Sequence, residues 1–350
     1  MIGTEFLPGF GLGNQLFVYA AARALALDKG YEFGVCHPEF LAKNMHSDCG
    51  MYFMDIDMGR EITDEDKARM KRFDDADDRL YLGNSVHDLT HGAYVSGASP
   101  DFFRIEDDTL LYGNLQSELY FRNHMEDLKE WFKVRPEYES FEYTADDLCV
   151  IHMRCGDYEN SPELWLDRSY WLMGIARMKE INPAMRFIII TDRVDSAHKI
   201  LPEYKAIRGD LGEDYVTLKN ARYLLLGNSS FPVFPALTSE TLRLAIAPKY
   251  WARHNVSDGY WASEQNIYSC FQYMDKKGNL STAAQCRSEL KAYKESSPVY
   301  AGLNRRPGKV LHAARMARAK TLYGLYFSRK VIRSLERRTG IIKSWQDTDE

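Results

Sequence analysis

Short apolar runs alternate with longer amphipathic segments through the second half of the chain. The clearest run is Leu148 to Met153, which is bounded by Asp146 and Asp147 before it and by a glycine turn after it. Such a run is typical of a short buried strand. The same reasoning predicts a strand at Phe187–Thr191, a helix at about 168–181, a helix near 194–201, a strand near Tyr215–Val216, a helix near 218–222, a strand at Tyr223–Gly227 and a strand near Ala245–Ala247. Strands that alternate with helices predict a parallel, doubly wound sheet.

The first half begins with a predicted strand, Ile2 to Leu7, followed by a glycine-rich turn from Pro8 to Gln15 and an apolar helix from Leu16 to Lys29. Glycines allow a backbone to approach a ligand, and a helix amino end offers unpaired N–H groups. Gly11, Gly13, Asn14 and Gln15 are therefore candidate ligand-binding residues. Because Asn14 stands where a dinucleotide fingerprint has its third glycine, an NAD-binding domain is disfavoured.

Further strands are predicted at Tyr31–Cys36 and near Thr109–Gly113, and a helix is predicted to run as far as Lys133. The polar stretch that follows Cys36, through residue 90, has little periodicity. Pro136 and the charges around it interrupt the helical pattern at Val134–Glu139, which favours a linker there. We therefore expect an amino-terminal domain over 1–140, a second domain over 141–295 and a separate tail over 296–350.

The composition is that of a globular protein: 350 residues, 27% charged residues and a mean hydropathy of −0.43. Neither an apolar run of transmembrane length nor the basic flank of a signal peptide is found, so a cytoplasmic location is expected. Six cysteines without a Cys-x-x-Cys pair suit reduced thiols. The net charge of −5 disfavours nucleic acid as a partner.

Polar side chains follow three of the predicted strands of the second half. In parallel sheets the carboxyl ends of neighbouring strands form a ligand-binding edge. A guanidinium can bind phosphate oxygens with two N–H groups, while hydroxyls and carboxylates can bind the rest of a nucleotide. This clustering predicts a nucleotide diphosphate site, although a helix cap at Asp192 and a plain turn at 228–230 are the alternatives. The candidate residues are His152, Arg154, Asp157, Asp192, Asn228, Ser229 and Ser230.

Five motifs, in order, resemble those of the galactoside α-1,2-fucosyltransferases. In the list that follows, the amino-terminal and donor-site signatures of that family are named before the three shorter motifs. They are Gly11-Leu-Gly-Asn-Gln-Leu-Phe-Val-Tyr-Ala20, His152-Met-Arg-Cys-Gly-Asp-Tyr158, Gln116-Ser-Glu-Leu-Tyr-Phe121, Asn228-Ser-Ser-Phe231 and Ile246-Ala-Pro-Lys-Tyr-Trp251. Together they span roughly residues 9–251.

The resemblance implies an α/β fold of the GT-B type, with two Rossmann-like domains that face each other across a cleft, followed by carboxyl-terminal helices. It also implies GDP-fucose as the donor, a glycan hydroxyl as the acceptor (most often O2 of a terminal galactose), an inverting single displacement, and no metal or other cofactor. By analogy, Arg154 binds the β-phosphate of the departing GDP. An inverting transfer also needs a base for the acceptor proton, and Glu159 and Glu163 are the candidates by position.

Two departures from the family pattern leave alternatives open. Cys155 replaces the second arginine of the donor-site signature, and Pro232-Val-Phe-Pro235 replaces a Ser-Trp-Trp-Gly continuation. A fucosyltransferase of another linkage, such as an α-1,6 enzyme, is compatible with these changes, as is a non-catalytic nucleotide-sugar-binding protein. Cys155 itself is either a small packed residue or a redox-sensitive thiol whose pKa is lowered by Arg154.

Two metal hypotheses are weaker than the metal-free one. Asp55 and Asp57 form a carboxylate pair that could hold manganese, but such a pair also arises by chance. Cys36-His37 and His46-x-x-Cys49 match no standard zinc spacing.

The tail is strongly basic. Between Arg305 and Lys343 there are twelve basic residues and one acidic residue, Glu336, interleaved with apolar residues. This pattern predicts one or two amphipathic helices. They are expected either to pack across the two domains or to dock on an anionic membrane, where a lipid-linked glycan acceptor would be found.

Overall fold

The computed structural model describes residues 1–6, 10–38, 50–75, 78–81, 86–94, 99–160, 164–249, 255–256, 260–261, 264–297 and 300–338. Several predicted features lie outside these residues, namely Leu7–Gly9, His46, Cys49, Glu163 and the end of the last motif, Tyr250 and Trp251.

The described strands are numbered here in chain order. They are β1 Ile2–Glu5, β2 Phe33–Cys36, β3 Arg60–Ile62, β4 Lys71–Asp74, β5 Arg79–Leu80, β6 Ala93–Tyr94, β7 Thr109–Tyr112, β8 Leu148–Met153, β9 Arg186–Thr191, β10 Lys205–Ile207, β11 Tyr223–Leu226, β12 Leu244–Pro248, β13 Asn255–Val256, β14 Tyr260–Trp261, β15 Gln272–Met274 and β16 Leu280–Thr282.

The described α-helices are α1 Leu12–Lys29, α2 Asp64–Arg69, α3 Val86–His91, α4 Leu128–Trp131, α5 Arg168–Ile181, α6 Val194–Ile200, α7 Leu211–Asn220, α8 Val233–Leu237, α9 Ala283–Ser296 and α10 Lys309–Arg338. Short 3₁₀ turns connect several of these elements.

Each half of the chain is built on its own sheet. In the first half the order is β3-β2-β1-β7-β4, and all of the pairs are parallel. In the second half the order is β10-β9-β8-β11-β12-β15-β16, and only the last pair is antiparallel. The prediction of two α/β units, each built on a largely parallel sheet, is confirmed.

The second sheet is covered on both faces. Val150 of β8 and Leu224 of β11 belong to one core cluster, while the next residues along, Ile151 and Leu225, belong to another. Successive side chains of a strand point to opposite faces, so both faces are buried. This explains why β8 is a continuous apolar run rather than an alternating one.

Several element predictions were wrong in detail. α1 begins at Leu12, four positions before the predicted Leu16, because the extended backbone of Gly11 already caps the helix. Asn14 and Gln15 therefore lie in its first turn rather than in a loop. The predicted helix to Lys133 is mostly 3₁₀ turns with the four-residue α4.

The predicted strand at Tyr215–Val216 is also wrong, because both residues lie inside α7. Asp210 caps this helix at the backbone N–H of Glu213, whose side chain in turn binds the N–H of Asp210. This capping box fixes a helix start, and the strand of that region is β10. In the first half, the segment before residue 90 contains regular elements that its weak periodicity did not reveal, namely β3, α2, β4, β5 and α3.

The two halves are joined through the amino end of α1. The ring of Phe17 lies 4.7 Å from that of Phe234 in α8 and 5.5 Å from that of Tyr268, measured between centroids. All three residues belong to one core cluster that extends into both halves. The segment Pro232–Pro235, which differs from the family pattern, thus places Phe234 in the contact between the halves.

A chain of polar side chains accompanies this apolar contact. Asn14 Oδ1 accepts hydrogen bonds from Ser230 Oγ at 2.6 Å and from Gln116 Nε2 at 2.6 Å. Gln116 Oε1 in turn accepts from Gln265 Nε2 at 2.8 Å. Since Gln116 and Gln265 are buried, this network fixes the relative position of the elements that carry it.

The tail forms one long helix, α10, and returns to the first half. Before it, Asn304 pairs with the backbone of Arg79 through two hydrogen bonds of 2.8 Å. The helix packs against α3, and the hydroxyl of Tyr326 donates to the carbonyl of Glu159 at 2.8 Å. α10 therefore contacts both halves. Within the described chain, no helix is both long and apolar enough to cross a bilayer.

The close approach of α1 to the second half predicts the effect of Gly13→Ala. A Cβ at Gly13 would lie 2.6 Å from the carbonyl carbon of Ser230 and 2.7 Å from the nitrogen of Phe231. Backbone cannot move aside cheaply, so we expect a loss of about 1–3 kcal/mol in the free energy of unfolding, measured by denaturant titration. Gly324→Ala is the control because nothing lies near Gly324, and equal stabilities of the two variants would contradict this packing.

Candidate active site

The predicted strand-end cluster forms at the centre of the second sheet. β8 pairs in parallel with β9 on one side and with β11 on the other. Met153 lies beside Thr191 and His152 beside Leu226 in these registers. The polar residues that follow the three strands therefore share one edge of the sheet.

Arg154 is held by two carboxylates at this edge. Its Nη2 donates to Asp157 Oδ1 at 3.0 Å, and its Nη1 lies 3.0 Å from Asp192 Oδ2. The side chain is 34% exposed, so part of the guanidinium remains accessible. Burial opposes its charge, but Asp192 and Asp157 outweigh burial and raise the pKa of Arg154. The group is a fixed cation.

Asp192 also organises the turn after β8. Its Oδ1 accepts the backbone N–H of Cys155 at 2.8 Å. A Cβ at Gly156 would lie 2.4 Å from Asp192 Oδ2, so glycine is required for this approach. Asp192 thus binds the turn and its arginine together. The alternative of a helix cap at Asp192 is wrong, because the residue at the cap position of α6 is Arg193.

Cys155 is packed away from solvent. It is fully buried, and its Sγ accepts from Thr191 Oγ1 at 3.6 Å. Burial raises the pKa of the thiol to about 11, despite the nearby Arg154. The hypothesis of a redox-sensitive thiol with a lowered pKa is therefore wrong, because the reactive thiolate is disfavoured. The alternative, a small packed residue, is the one observed.

His152 is a buried neutral imidazole. Its ring stacks on Phe231, with 5.6 Å between the centroids. Burial, helped by the charge of Arg154, lowers the pKa of His152 to about 3. Its Nδ1 has no hydrogen-bond partner among the described residues. The imidazole therefore adds no positive charge to the site at neutral pH.

A narrow recess of about 10 Å³, room for about one water molecule, lies beside Arg154 and opens to solvent. Its walls include three aromatic residues, Tyr158, Trp165 and Trp171, together with Asn228 at the end of β11. Two buried polar atoms of these walls, Asn228 Oδ1 and Trp171 Nε1, have no partner among the described residues. The recess as it stands is too small for an aromatic ring, but its unpaired polar atoms favour a polar ligand group at this place, because unpaired buried polar atoms are costly.

Sequence reasoning missed Trp165 and Trp171 as site residues. Trp171 lies in the first turn of α5, close to the strand-end motif in space but seventeen positions after Arg154 in the chain. Its place in a helix that follows β8 could have indicated it, since the amino ends of such helices face the carboxyl ends of the strands.

The three residues of the motif at 228–230 have different surroundings. Asn228 Nδ2 donates to the carbonyl of Leu164 at 2.9 Å, beside the recess. Ser229 Oγ accepts from the N–H of Phe231 at 3.2 Å, as expected in a turn. Ser230 donates to Asn14 instead. Of the three, only Asn228 lines the recess.

The glycine-rich residues of the first half lie against the second half. Gly11 precedes α1, and Gly13 faces the backbone of Ser230. Gln15 Nε2 donates to the carbonyl of Phe10 at 2.7 Å, while its buried Oε1 has no partner among the described residues. The arrangement brings this motif close to the 228–230 turn, which neighbours the donor-site motif, as expected for motifs of one cleft.

The remaining candidates differ in position. Asp157 is 70% exposed and binds Arg154. Glu159 lies on the same 3₁₀ turn, with its carbonyl bound by Tyr326. The carboxylate of Asp57, considered as a metal ligand, instead binds Arg23 at 3.3 Å and the N–H of Gly59 at 2.9 Å. No cluster of three metal-binding side chains occurs within the described ranges.

No protein-family model and no curated protein sequence matches the chain. Among solved structures, it is similar to the fucosyltransferase NodZ from Bradyrhizobium, with 14% identity, a TM-score of 0.40, and coverage of 68% of this chain and 93% of that one. It is also similar to POFUT1 in complex with GDP-fucose (11% identity, TM-score 0.37, coverage 70% and 97%). A third is the E. coli heptosyltransferase WaaC with ADP (11%, 0.38, coverage 84% and 99%). These identities and scores are low, so the functional argument below depends on the residues of this chain.

The buried imidazole predicts a pH dependence that His152→Phe should reduce. Since the pKa of His152 falls from 6.5 to about 3 on folding, the unfolded chain binds the extra proton between these values. This group therefore costs stability as the pH falls from about 6.5 toward 3. Acidification from pH 7 to pH 4 should lower the free energy of unfolding of both proteins. We expect this decrease to be smaller in the His152→Phe variant, which keeps the stacking on Phe231, by about 1–3 kcal/mol.

This prediction is checked by denaturant titration at both pH values. His124→Phe is a suitable control because His124 binds Asp28 and Asp127 near the surface of the first half. A wild type and a His152→Phe variant with the same loss of stability in acid would contradict the buried neutral state.

Proposed function

We propose that the protein is a glycosyltransferase that moves fucose from GDP-fucose to a hydroxyl of a glycan. The observation that carries the proposal is the fixed cation Arg154 beside the aromatic recess, at the carboxyl edge of the central strands. The resemblance of five ordered motifs to the galactoside α-1,2-fucosyltransferases supports fucose as the sugar and O2 of a terminal galactose as the acceptor atom.

The site suggests how the donor binds. For the nucleoside base to enter the recess, Tyr158 and Trp165 must move apart. Asn228 and Trp171 then offer an acceptor and a donor for the polar edge of the base. The diphosphate then lies along Arg154, which binds its oxygens. Aromatic stacking and charge-assisted hydrogen bonds both favour such a ligand.

Transfer follows as a single inverting displacement. The bond from fucose C1 to the β-phosphate oxygen breaks while the acceptor oxygen bonds to C1 from the opposite side. The acceptor proton passes to a carboxylate base, for which Glu159 and Glu163 are the candidates. Negative charge grows on the departing GDP, and a guanidinium placed in advance stabilises it without a large reorganisation. No metal is required in this scheme.

A second candidate function is a nucleotide-sugar-binding protein without transferase activity. The observation in its favour is that two carboxylates already neutralise Arg154, while Cys155 supplies no second cation. A fucosyltransferase of α-1,6 type is the alternative within enzymes. Calorimetric titration with GDP, GDP-fucose and NAD, followed by an assay of acceptor-dependent GDP release, separates the transferase from the binding protein. Product linkage analysis then separates α-1,2 from α-1,6.

Arg154→Ala tests the cation. We expect the rate of GDP release to fall by about 10²–10³, as for the loss of a group that stabilises developing charge. Arg186→Ala is the matched control: Arg186 is also held by a carboxylate, Asp147, at 2.8 Å, but it stands at the opposite end of the second sheet. Near-normal turnover of Arg154→Ala, or an equal loss in the control, would contradict the assignment.

The general base is tested by the pH dependence of turnover in Glu159→Gln and Glu163→Gln. A carboxylate that accepts the acceptor proton is active only when ionised, so its loss removes the acidic limb of the pH–rate profile together with most of the activity. We expect one of the two variants to behave in this way. If both keep the wild-type acidic limb, the base is another group. Full activity in EDTA is expected for either outcome.

A further inference from the structure

Helix α10 leaves an apolar and basic face uncovered. Leu311, Leu322 and Leu325 are 49%, 45% and 51% exposed, and exposed Arg318 lies among them. Their spacings of seven, four and three residues place all four on one face of the helix. Each leucine would normally be buried, so a row of three is a patch that calls for a partner.

The face that packs adjoins the exposed one, about 100° further around the helix. His312, Ala319 and Tyr326 are spaced by seven residues and are half-buried or buried. Tyr326 holds the carbonyl of Glu159, and the helix packs against α3. The leucine row is thus displaced from the contacts that attach α10 to the protein, and it remains accessible when the helix is seated.

The charge of the helix identifies the partner. Nine basic residues and one acidic residue lie within Lys309–Arg338, although the whole chain has a net charge of −5. Such a strong local positive charge repels a second copy of the same face and attracts an anionic surface. A helix with leucines and basic side chains on its outward side is typical of segments that lie in the interface of an anionic bilayer.

We propose that the outward face of α10, which we call the leucine row (Leu311, Arg318, Leu322 and Leu325), docks on an anionic lipid bilayer. The leucine side chains enter the acyl boundary, while the basic residues of the helix neutralise lipid phosphates. This inference goes beyond the proposed transfer reaction and does not depend on which sugar is moved. The helix would lie flat, with the Tyr326 contact, and so the loop of Glu159, beside the bilayer on the adjoining face.

Vesicle flotation of the full chain tests this proposal. We expect the wild type to float with vesicles of phosphatidylcholine and phosphatidylserine, not with phosphatidylcholine alone, and to be released at high salt because salt screens surface charge. Leu322→Glu with Leu325→Glu should lower the partition coefficient by about tenfold or more. Arg318→Glu, which reverses the charge within the leucine row, should weaken flotation in the same way. Phe141→Glu is the control, because Phe141 is 63% exposed but lies outside the helix.

Two further measurements make the outcome decisive. Light scattering without lipid detects a second copy, and a wild-type dimer that the leucine variants dissociate would overturn the proposal in favour of self-association. Equal flotation of the wild type and the leucine variants, or equal flotation with neutral vesicles, would also overturn it. GDP release with a soluble acceptor should be unchanged in the leucine variants, so failure of docking and failure of the proposed reaction give different results.

Discussion

The contact between the amino end of α1 and the segment Ser230–Phe234 is the constraint on which the arrangement of this protein depends. It combines an aromatic core around Phe17, a polar chain through Asn14, and a glycine that permits the backbones to approach. The same few residues carry the amino-terminal motif and adjoin the strand ends of the second half. One contact thus joins the halves and also places the amino-terminal motif beside the strand ends. Any change that separates the halves therefore also moves this motif away from the strand-end edge that carries Arg154. The glycine pattern therefore has a packing cause in this structure, in addition to any part it has in binding a ligand.

The second constraint is the balance of charge around Arg154. Partial burial of an unpaired guanidinium would cost free energy. Asp157 and Asp192 offset that cost because each places a carboxylate against Arg154. A diphosphate that binds here must compete with these carboxylates, so its binding changes the partners of Arg154 rather than filling an empty cationic pocket. Asp192 also holds the N–H of Cys155, so it is anchored, while Asp157 is exposed. The structure thus favours exchange at Asp157, with Asp192 retained as the group that orients the arginine.

The sequence predicted what strong local signals determine. β8 and α5 were placed at their observed bounds, because one is a continuous apolar run between charged residues and the other begins at the cap residue Asp167. Tyr215 and Val216 were misplaced because their bulk favours a strand, although the Asp210–Glu213 capping box overrides it. The first half was harder, since β3 and β4 lie at sheet edges and carry few buried residues. At the site, the charged turn was predicted, but Trp165 and Trp171 were not, because packing in space brings them to the recess.

The tail shows how two faces of one helix serve different surroundings. Ala319 and Tyr326 lie on the packed face of α10, whereas the leucines of the adjoining face keep about half of their surface exposed. Leu325 in the leucine row and Tyr326 on the packed face are consecutive residues, about 100° apart around the helix. The two faces therefore adjoin and keep a fixed position relative to each other. Since Tyr326 holds the carbonyl of Glu159 on the turn that follows Arg154, a bilayer docked on the leucine row as proposed above would also set the direction in which the strand-end edge of Arg154 faces.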